Sequence, residues 1–150
     1  MAFCVLALVI VFFTKFMDEK NNYLGLDWGS VNVGVAIADE ETKVALAYTT
    51  LKNDKYLLER IGKIVSSENI ANVIIGIPSY VNRKEVEYEG EKLGQLIQKF
   101  FPVKVVYQNE MFTTKIAQAR LIKRGEKNIS KRDDTEAARI ILQEWLDVKK

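Results

Sequence analysis

A single mixed α/β domain, antiparallel strands first and α/β crossovers after them, is the fold class that this chain of 150 residues predicts. Three observations carry it. Apolar residues recur with period two as far as Thr50 and with helical spacing in several segments beyond it. The first three strand-like segments are joined by short connections, which favours antiparallel pairing. The later strand-like segments are separated by helix-like stretches, the alternation that builds crossovers within one sheet. The length suits one compact domain with one core, and an apolar content of 48% with 10% aromatic residues is ordinary for a globular chain.

The elements follow in order. Residues 23–28 read as a buried strand. Asn32 to Asp39 alternates Val33, Val35 and Ile37 with small residues and reads as a second, and Lys43 to Thr50 alternates Val44, Leu46 and Tyr48 as a third. Leu57, Leu58, Ile61, Ile64 and Val65 have helical spacing, with Asp54 as N-cap. Asn72 to Pro78 is a short, very apolar strand. Leu93, Leu96, Ile97, Phe100 and Phe101 mark a second helix that ends near Pro102. Val103 to Tyr107 is the fifth strand. Thr113 to Arg124 is a third helix stopped by Gly125, and Asp134 to Val148 a fourth with core face Ala138, Ile141, Leu142 and Trp145. The order βββαβαβαα predicts a mixed five-stranded sheet with helices on both faces, the element order of the ribonuclease-H-like fold.

Ahead of this domain, Met1 to Phe13 is an unbroken apolar run. It is short of the roughly 20 residues a spanning helix needs, and its first charge, Lys15, follows the apolar part instead of preceding it as in a secretory signal. Three readings stand: a start at Met17, a short membrane-surface anchor, or a weak signal segment. The expected division is a leader at 1–17 and a folded domain at 18–150. Cys4 is the single cysteine, which excludes an intramolecular disulfide and a cysteine-cluster metal site. No histidine is present, so neither an imidazole base nor an imidazole metal ligand is at hand.

Three acidic residues stand at the mouths of apolar segments. Asp27 ends the run Tyr23-Leu24-Gly25-Leu26, Glu110 follows the fifth strand, and Asp134 opens the last helix. A carboxylate in an apolar segment is costly to bury unless something compensates it, and a divalent cation would compensate three at once. If the first strand is central and parallel to the later ones, Asp27 and Glu110 lie at one sheet edge. Asp134 shares the helical stripe of Ala138, Ile141 and Leu142. Asp133 lines up instead with Ala137, Ile140 and Glu144 and reads as an N-cap with Glu136 as its capping-box partner. Clustered carboxylates repel one another without a cation. Two divalent ions about 3.5–4 Å apart resolve the repulsion and equip such a site for phosphodiester hydrolysis without a protein nucleophile. Each acid also has a structural reading: Asp27 as a turn aspartate, Glu110 as a first-turn residue favoured by a helix dipole, Asp134 as a cap. Gly25, Gly29 and Gly34 read as tight backbone packing, and Trp28 and Tyr80 as packing or rim residues, with base stacking the alternative.

Charge adds a partner class. With 22 basic and 20 acidic residues the net charge is only +2, but Lys115, Arg120, Lys123, Arg124, Lys127, Lys131 and Arg132 face a single acid, Glu126, between residues 112 and 132. Such a stretch attracts phosphates.

These motifs resemble a known family. YLGLDWGSVNVGVAIAD at 23–39, VIIGIP at 73–78, Asn109-Glu110 followed by Thr113-Thr114 and Ala117, and Asp134 with Ala138 and IIL at 140–142 are similar, in that order, to the YqgF-like family, also called RuvX. The resemblance spans about residues 23–147. It implies a ribonuclease-H-like fold and a nuclease dependent on Mg²⁺ or Mn²⁺, acting in 5′-end processing of the 16S ribosomal RNA precursor or as a Holliday junction resolvase. Carried over by position, the catalytic and metal-binding acids are Asp27, Glu110 and Asp134. This chain departs from the family pattern at Val31 and Asn32, where basic residues are usual, at Met111, where Arg is usual, and in the loop Ser79–Lys84, where Gly is usual. The departures bear on substrate choice and affinity more than on chemistry. The expected partner is pre-rRNA or branched DNA, with no nucleotide cofactor, and the chain is a monomer or, for a junction that needs two symmetric cuts, a homodimer. Cytoplasmic location follows from this reading and from a start at Met17. Two readings of other classes stay open: a non-catalytic nucleic-acid-binding module using residues 115–132, and a phosphate-binding relative of the sugar-kinase fold.

Overall fold

The computed structural model describes residues 5–10, 21–77, 88–109 and 129–149. Its centre is one sheet of five strands: β1 (Asn22–Asp27), β2 (Asn32–Ala38), β3 (Ala45–Lys52), β4 (Ile70–Ile77) and β5 (Lys104–Asn109). They lie side by side in the order β3-β2-β1-β4-β5. The first three pair antiparallel, while β4 runs parallel to β1 and β5 parallel to β4. The expected antiparallel opening and the central, parallel placement of β1 both hold.

Two helical layers cover the sheet. On one face lie α1 (Leu57–Ser67) and α2 (Glu89–Phe100). Leu57, Ile61, Ile64 and Val65 of α1 and Leu93 and Ile97 of α2 pack on Leu24, Leu26, Val33, Val35, Val73 and Ile75. The spacing i, i+4, i+7, i+8 in α1 is the one-sided stripe that makes it a helix on a sheet. On the other face lies α3 (Ile129–Val148), where Ala138, Ile141, Leu142 and Leu146 meet Ala36, Ala38, Ala45 and Ile74. Alternation along each strand supplies both cores at once, since successive side chains point to opposite faces. Residues 5–10 are helical with exposed side chains, and no helix among the described residues is long and apolar enough to cross a membrane. The helix expected over 113–124 lies outside the described residues.

Four expectations are corrected. The alternating residues of the third strand are not core: Leu46 is 60% exposed, and Val44 and Tyr48 are exposed as well. β3 is an edge strand, and on that face the core is met only at its far end, where Leu51 packs. Leu96 and Phe100, read as core of the second helix, are 44% and 58% exposed, so α2 buries a narrower stripe through Leu93 and Ile97. Asp54 does not cap α1, whose N-cap is Tyr56. Its carboxylate instead accepts the Tyr56 N–H at 2.9 Å and holds Arg60 at 2.8 Å. Asp133 is no N-cap either, because α3 begins at Ile129 and carries Asp133 as an interior residue. Glu136, its expected partner, is bound by Arg139 at 2.7 and 3.0 Å.

The burial pattern makes a direct prediction. Ile141→Ala removes a fully buried side chain and is expected to cost about 2–5 kcal/mol. Leu46→Ala, on the exposed face of β3, is expected to stay within about 0.5 kcal/mol of the parent. Urea unfolding of both variants measures the difference.

Candidate active site

Strand alternation divides the end of β1 between two faces. Leu24 and Leu26 point into the core beneath α1 and α2. Gly25 and Asp27 therefore point the other way, towards α3. The glycine shows this independently: a β-carbon at Gly25 would lie 2.8 Å from Leu142 Cβ and 3.0 Å from the Ala138 carbonyl oxygen. Asp27 is thus the last residue of the central strand and faces the helix layer that carries Asp134.

The next strand closes the arrangement. Asp27 pairs directly with Gly34 across the antiparallel ladder, and opposed residues of such a pair share a face. A β-carbon at Gly34 would collide with the backbone carbonyl of Asp134. Only glycine permits that approach. Asp134, Ala138 and Leu142 are spaced i, i+4, i+8, one stripe of α3, and this stripe runs from Gly34 on β2 to Gly25 on β1. Asp27 and the start of the stripe at Asp134 are so brought to one sheet edge with a single glycine between their backbones. Asp134, read from sequence as the acid on the core stripe, does lie on it.

The parallel strands end at the same edge. Leu26 pairs with Ile75, Ile75 with Tyr107, and Ile77 with Asn109. Glu110 lies outside the described residues. In sequence it follows Asn109, the last residue of β5. Lys115, Arg120, Lys123, Arg124 and Lys127 also lie outside the described residues. Lys131 and Arg132 belong to the opening of α3, on the same side of Asp134 as its N-terminus.

The donor set is all oxygen. Among the described residues no group of three or more His, Cys, Asp or Glu could hold a metal ion, and the geometry brings the backbones of Asp27 and Asp134 to either side of Gly34. Carboxylate donors suit hard ions such as Mg²⁺ or Mn²⁺, and the small residue between them leaves that edge free of a bulky side chain. Further along α3, Glu136 is nearly buried, and its carboxylate holds the Arg139 guanidinium above its ordinary pKa. That bidentate pair stiffens the segment that presents Asp134.

One feature of this edge escaped the sequence reading. Trp28 turns to the face opposite Asp27 and packs on the α1–α2 core, with the Tyr88 ring edge-on at 5.7 Å. Asn53 fixes the adjoining turn by donating its Nδ2 to the Gly29 carbonyl at 2.7 Å and its N–H to that of Val31 at 2.9 Å. Tyr88 and Asn53 belong to no motif and come together only through the fold.

A five-stranded mixed sheet with helices on both faces and an acid at the end of its central strand is the architecture of a ribonuclease-H-like domain. Comparison with known proteins agrees. The RuvX family profile, described as Holliday junction resolvase, matches residues 21–148, and the chain belongs to that family. A protein of Streptococcus sanguinis named "Putative pre-16S rRNA nuclease" is 36% identical over 134 residues, 83% of this chain and 96% of its own. One of the same name from Caldanaerobacter subterraneus is 33% identical over 135 residues, 85% of this chain and 96% of its own. In fold the chain is similar to the Fowlpox virus resolvase in complex with Holliday junction DNA, with a TM-score of 0.57 at 17% identity over 86% of this chain and 99% of that one. It is likewise similar to RuvC of T. thermophilus in complex with a Holliday junction, with a TM-score of 0.55 at 17% identity over 86% of this chain and 96% of that one. The ribonuclease-H-like fold expected from element order is the fold of the chain.

The glycine contact can be tested alone. Gly34→Ala is expected to force α3 off the sheet, costing about 1–3 kcal/mol in urea unfolding. Leu46→Ala, on the face of β3 away from α3, is expected to leave the amide NMR shifts of α3 in place, while Gly34→Ala moves those around Asp134.

Proposed function

We propose that this protein is a hydrolase, a divalent-metal-dependent nuclease of ribosome biogenesis that cuts phosphodiester bonds of structured RNA at the 5′ end of the 16S rRNA precursor. The observation that carries the proposal is the meeting of Asp27 and Asp134 at one sheet edge across Gly34. Family membership and relatives named for this activity support it. The catalytic acids are Asp27, Glu110 and Asp134, which would hold Mg²⁺ or Mn²⁺. When bound, two such ions supply an activated water and stabilise the leaving 3′ oxygen. Asp27 is held towards the site by the alternation of β1, and Asp134 by the seating of α3 on Gly34. Lys115, Arg120, Lys123, Arg124, Lys127, Lys131 and Arg132 would bind backbone phosphates. The nuclease domain is residues 18–150, with 1–17 as a leader, and the protein works in the cytoplasm.

A second reading is resolution of branched DNA, favoured by the family description and by the two junction-bound structural neighbours. It requires a homodimer, since a four-way junction is cut symmetrically on two strands. RNA stands first because the relatives at 33% and 36% identity are named for it.

End-labelled precursor-rRNA leader and a four-way DNA junction, each offered with Mg²⁺, Mn²⁺ or chelator, decide between them. Cleavage is expected with either metal, lost with chelator. Asp27→Asn and Asp134→Asn are each expected to lower the rate by about 10²–10⁴-fold, as removal of a metal-holding group worth several kcal/mol requires. Cleavage that survives Asp27→Asn unchanged overturns the assignment, and salt-sensitive binding without cleavage turns the protein into a binding module.

A further inference from the structure

A cavity of about 360 Å³ opens at the same sheet edge, on the face away from α3. Trp28, Leu57, Leu93 and Leu96 supply its apolar walls, and Lys55 and Lys92 line it together with Asp54 and Glu89, Glu89 holding Lys92 at 3.0 Å. It lies between the N-termini of α1 and α2, which follow the ends of β3 and β4, so it shares the edge at which β1 ends with Asp27. One peptide bond separates Asp27 from Trp28. The acid faces one side of the sheet and the indole the other.

Two details mark the cavity as built to receive something flat and apolar. Trp28 is only partly covered by the core, and Tyr88 braces it edge-on. Tyr88 is itself seated against Gly90, where a β-carbon would lie 2.7 Å from the Tyr88 ring. Leu96, which also lines the cavity, is an apolar side chain left 44% exposed. Apolar walls with an aromatic plate match the chemistry of a nucleobase, which has two apolar faces.

We propose that this cavity holds an unpaired base of the substrate strand beside the scissile phosphate, with Trp28 as its stacking platform. The inference rests on the nuclease reading for its substrate. Binding the base on one face of the sheet would hold the backbone across the end of β1, where the acids stand on the other.

Trp145→Phe leaves Trp28 as the single tryptophan, since the chain has two. Its fluorescence is followed while a labelled, short single-stranded RNA is titrated in without divalent ions, and anisotropy of the label reports binding. Trp28 emission is expected to fall about twofold at saturation, and to recover when one position of the RNA, and not others, is made abasic. Leu96→Glu, at an exposed position that spares the core, is expected to raise KM for RNA cleavage about tenfold with kcat retained. RNA that binds without altering Trp28 emission, no binding at all, or an unchanged KM in Leu96→Glu overturns the pocket. Cleavage that continues while Trp28 stays silent sinks the pocket and leaves the nuclease standing. A position-specific Trp28 response in a protein that cuts nothing sinks the nuclease and leaves the pocket.

Discussion

The site depends on a side chain that is not there. α3 can lie flush on β1 and β2 only because Gly25 and Gly34 present bare backbone to it, and at Gly34 the helix carbonyl occupies the space a β-carbon would fill. Helix–sheet packing is otherwise set by side-chain layers, which interlock at interior density. Removing that layer at two points draws the helix in and sets the height of Asp134 above the sheet. The same contact explains why an acid can sit on the buried stripe of a helix: it occupies the stripe's open end, at the strand termini, with Ala138 and Leu142 deeper in. A second tie holds α3 further along, where Gln143 accepts the Ala45 N–H at 2.9 Å and donates to the Lys43 carbonyl at 3.3 Å.

β1 is the element from which both halves of the edge are built. Its neighbours are β2 on one side and β4 on the other, so it is buried across its width, and its register to both is defined residue by residue. A slip of one residue would exchange the faces of Asp27 and Trp28 and put a carboxylate into the apolar core. The penalty for that burial makes the register self-enforcing.

Much of this was legible in the sequence. Period and connection length were enough for the antiparallel opening and the two helical layers, while the central place of β1 entered only as a condition that the sheet order meets. The spacing of Asp134 from Ala138, Ile141 and Leu142 separated it from Asp133, because a helical stripe is a local property that i, i+4 arithmetic describes. The failures share one cause. Val44, Leu46 and Tyr48 alternate as core residues do, but whether a face is covered depends on which strand lies at the edge, and β3 does. Leu96 and Phe100 continue the stripe of α2 in sequence, but α2 meets the sheet along a narrower line than its apolar residues describe. Asp54 has the composition of a cap and found a stronger partner, Arg60, which holds its carboxyl below the usual range. The pocket around Trp28 was not legible at all, since Asn53, Leu57, Tyr88 and Leu93 approach it from separate elements.

The exposed face of β3 has a consequence for how the protein behaves in company. An edge strand carrying Leu46 and Tyr48 in the open is a template on which another chain's strand could pair. The ladder to β2 slips between Val35 and Ala36, where Thr49 and Ala47 are the successive partners and Tyr48 is passed over. A bulge of this kind twists the strand and breaks the even row of outward backbone groups. Lys52 at one end, and the Tyr48 hydroxyl donating to Glu68 at 3.0 Å, add charge and occupancy to the same margin. The irregularity that costs β3 one ladder position thus makes this margin a poorer template for another strand.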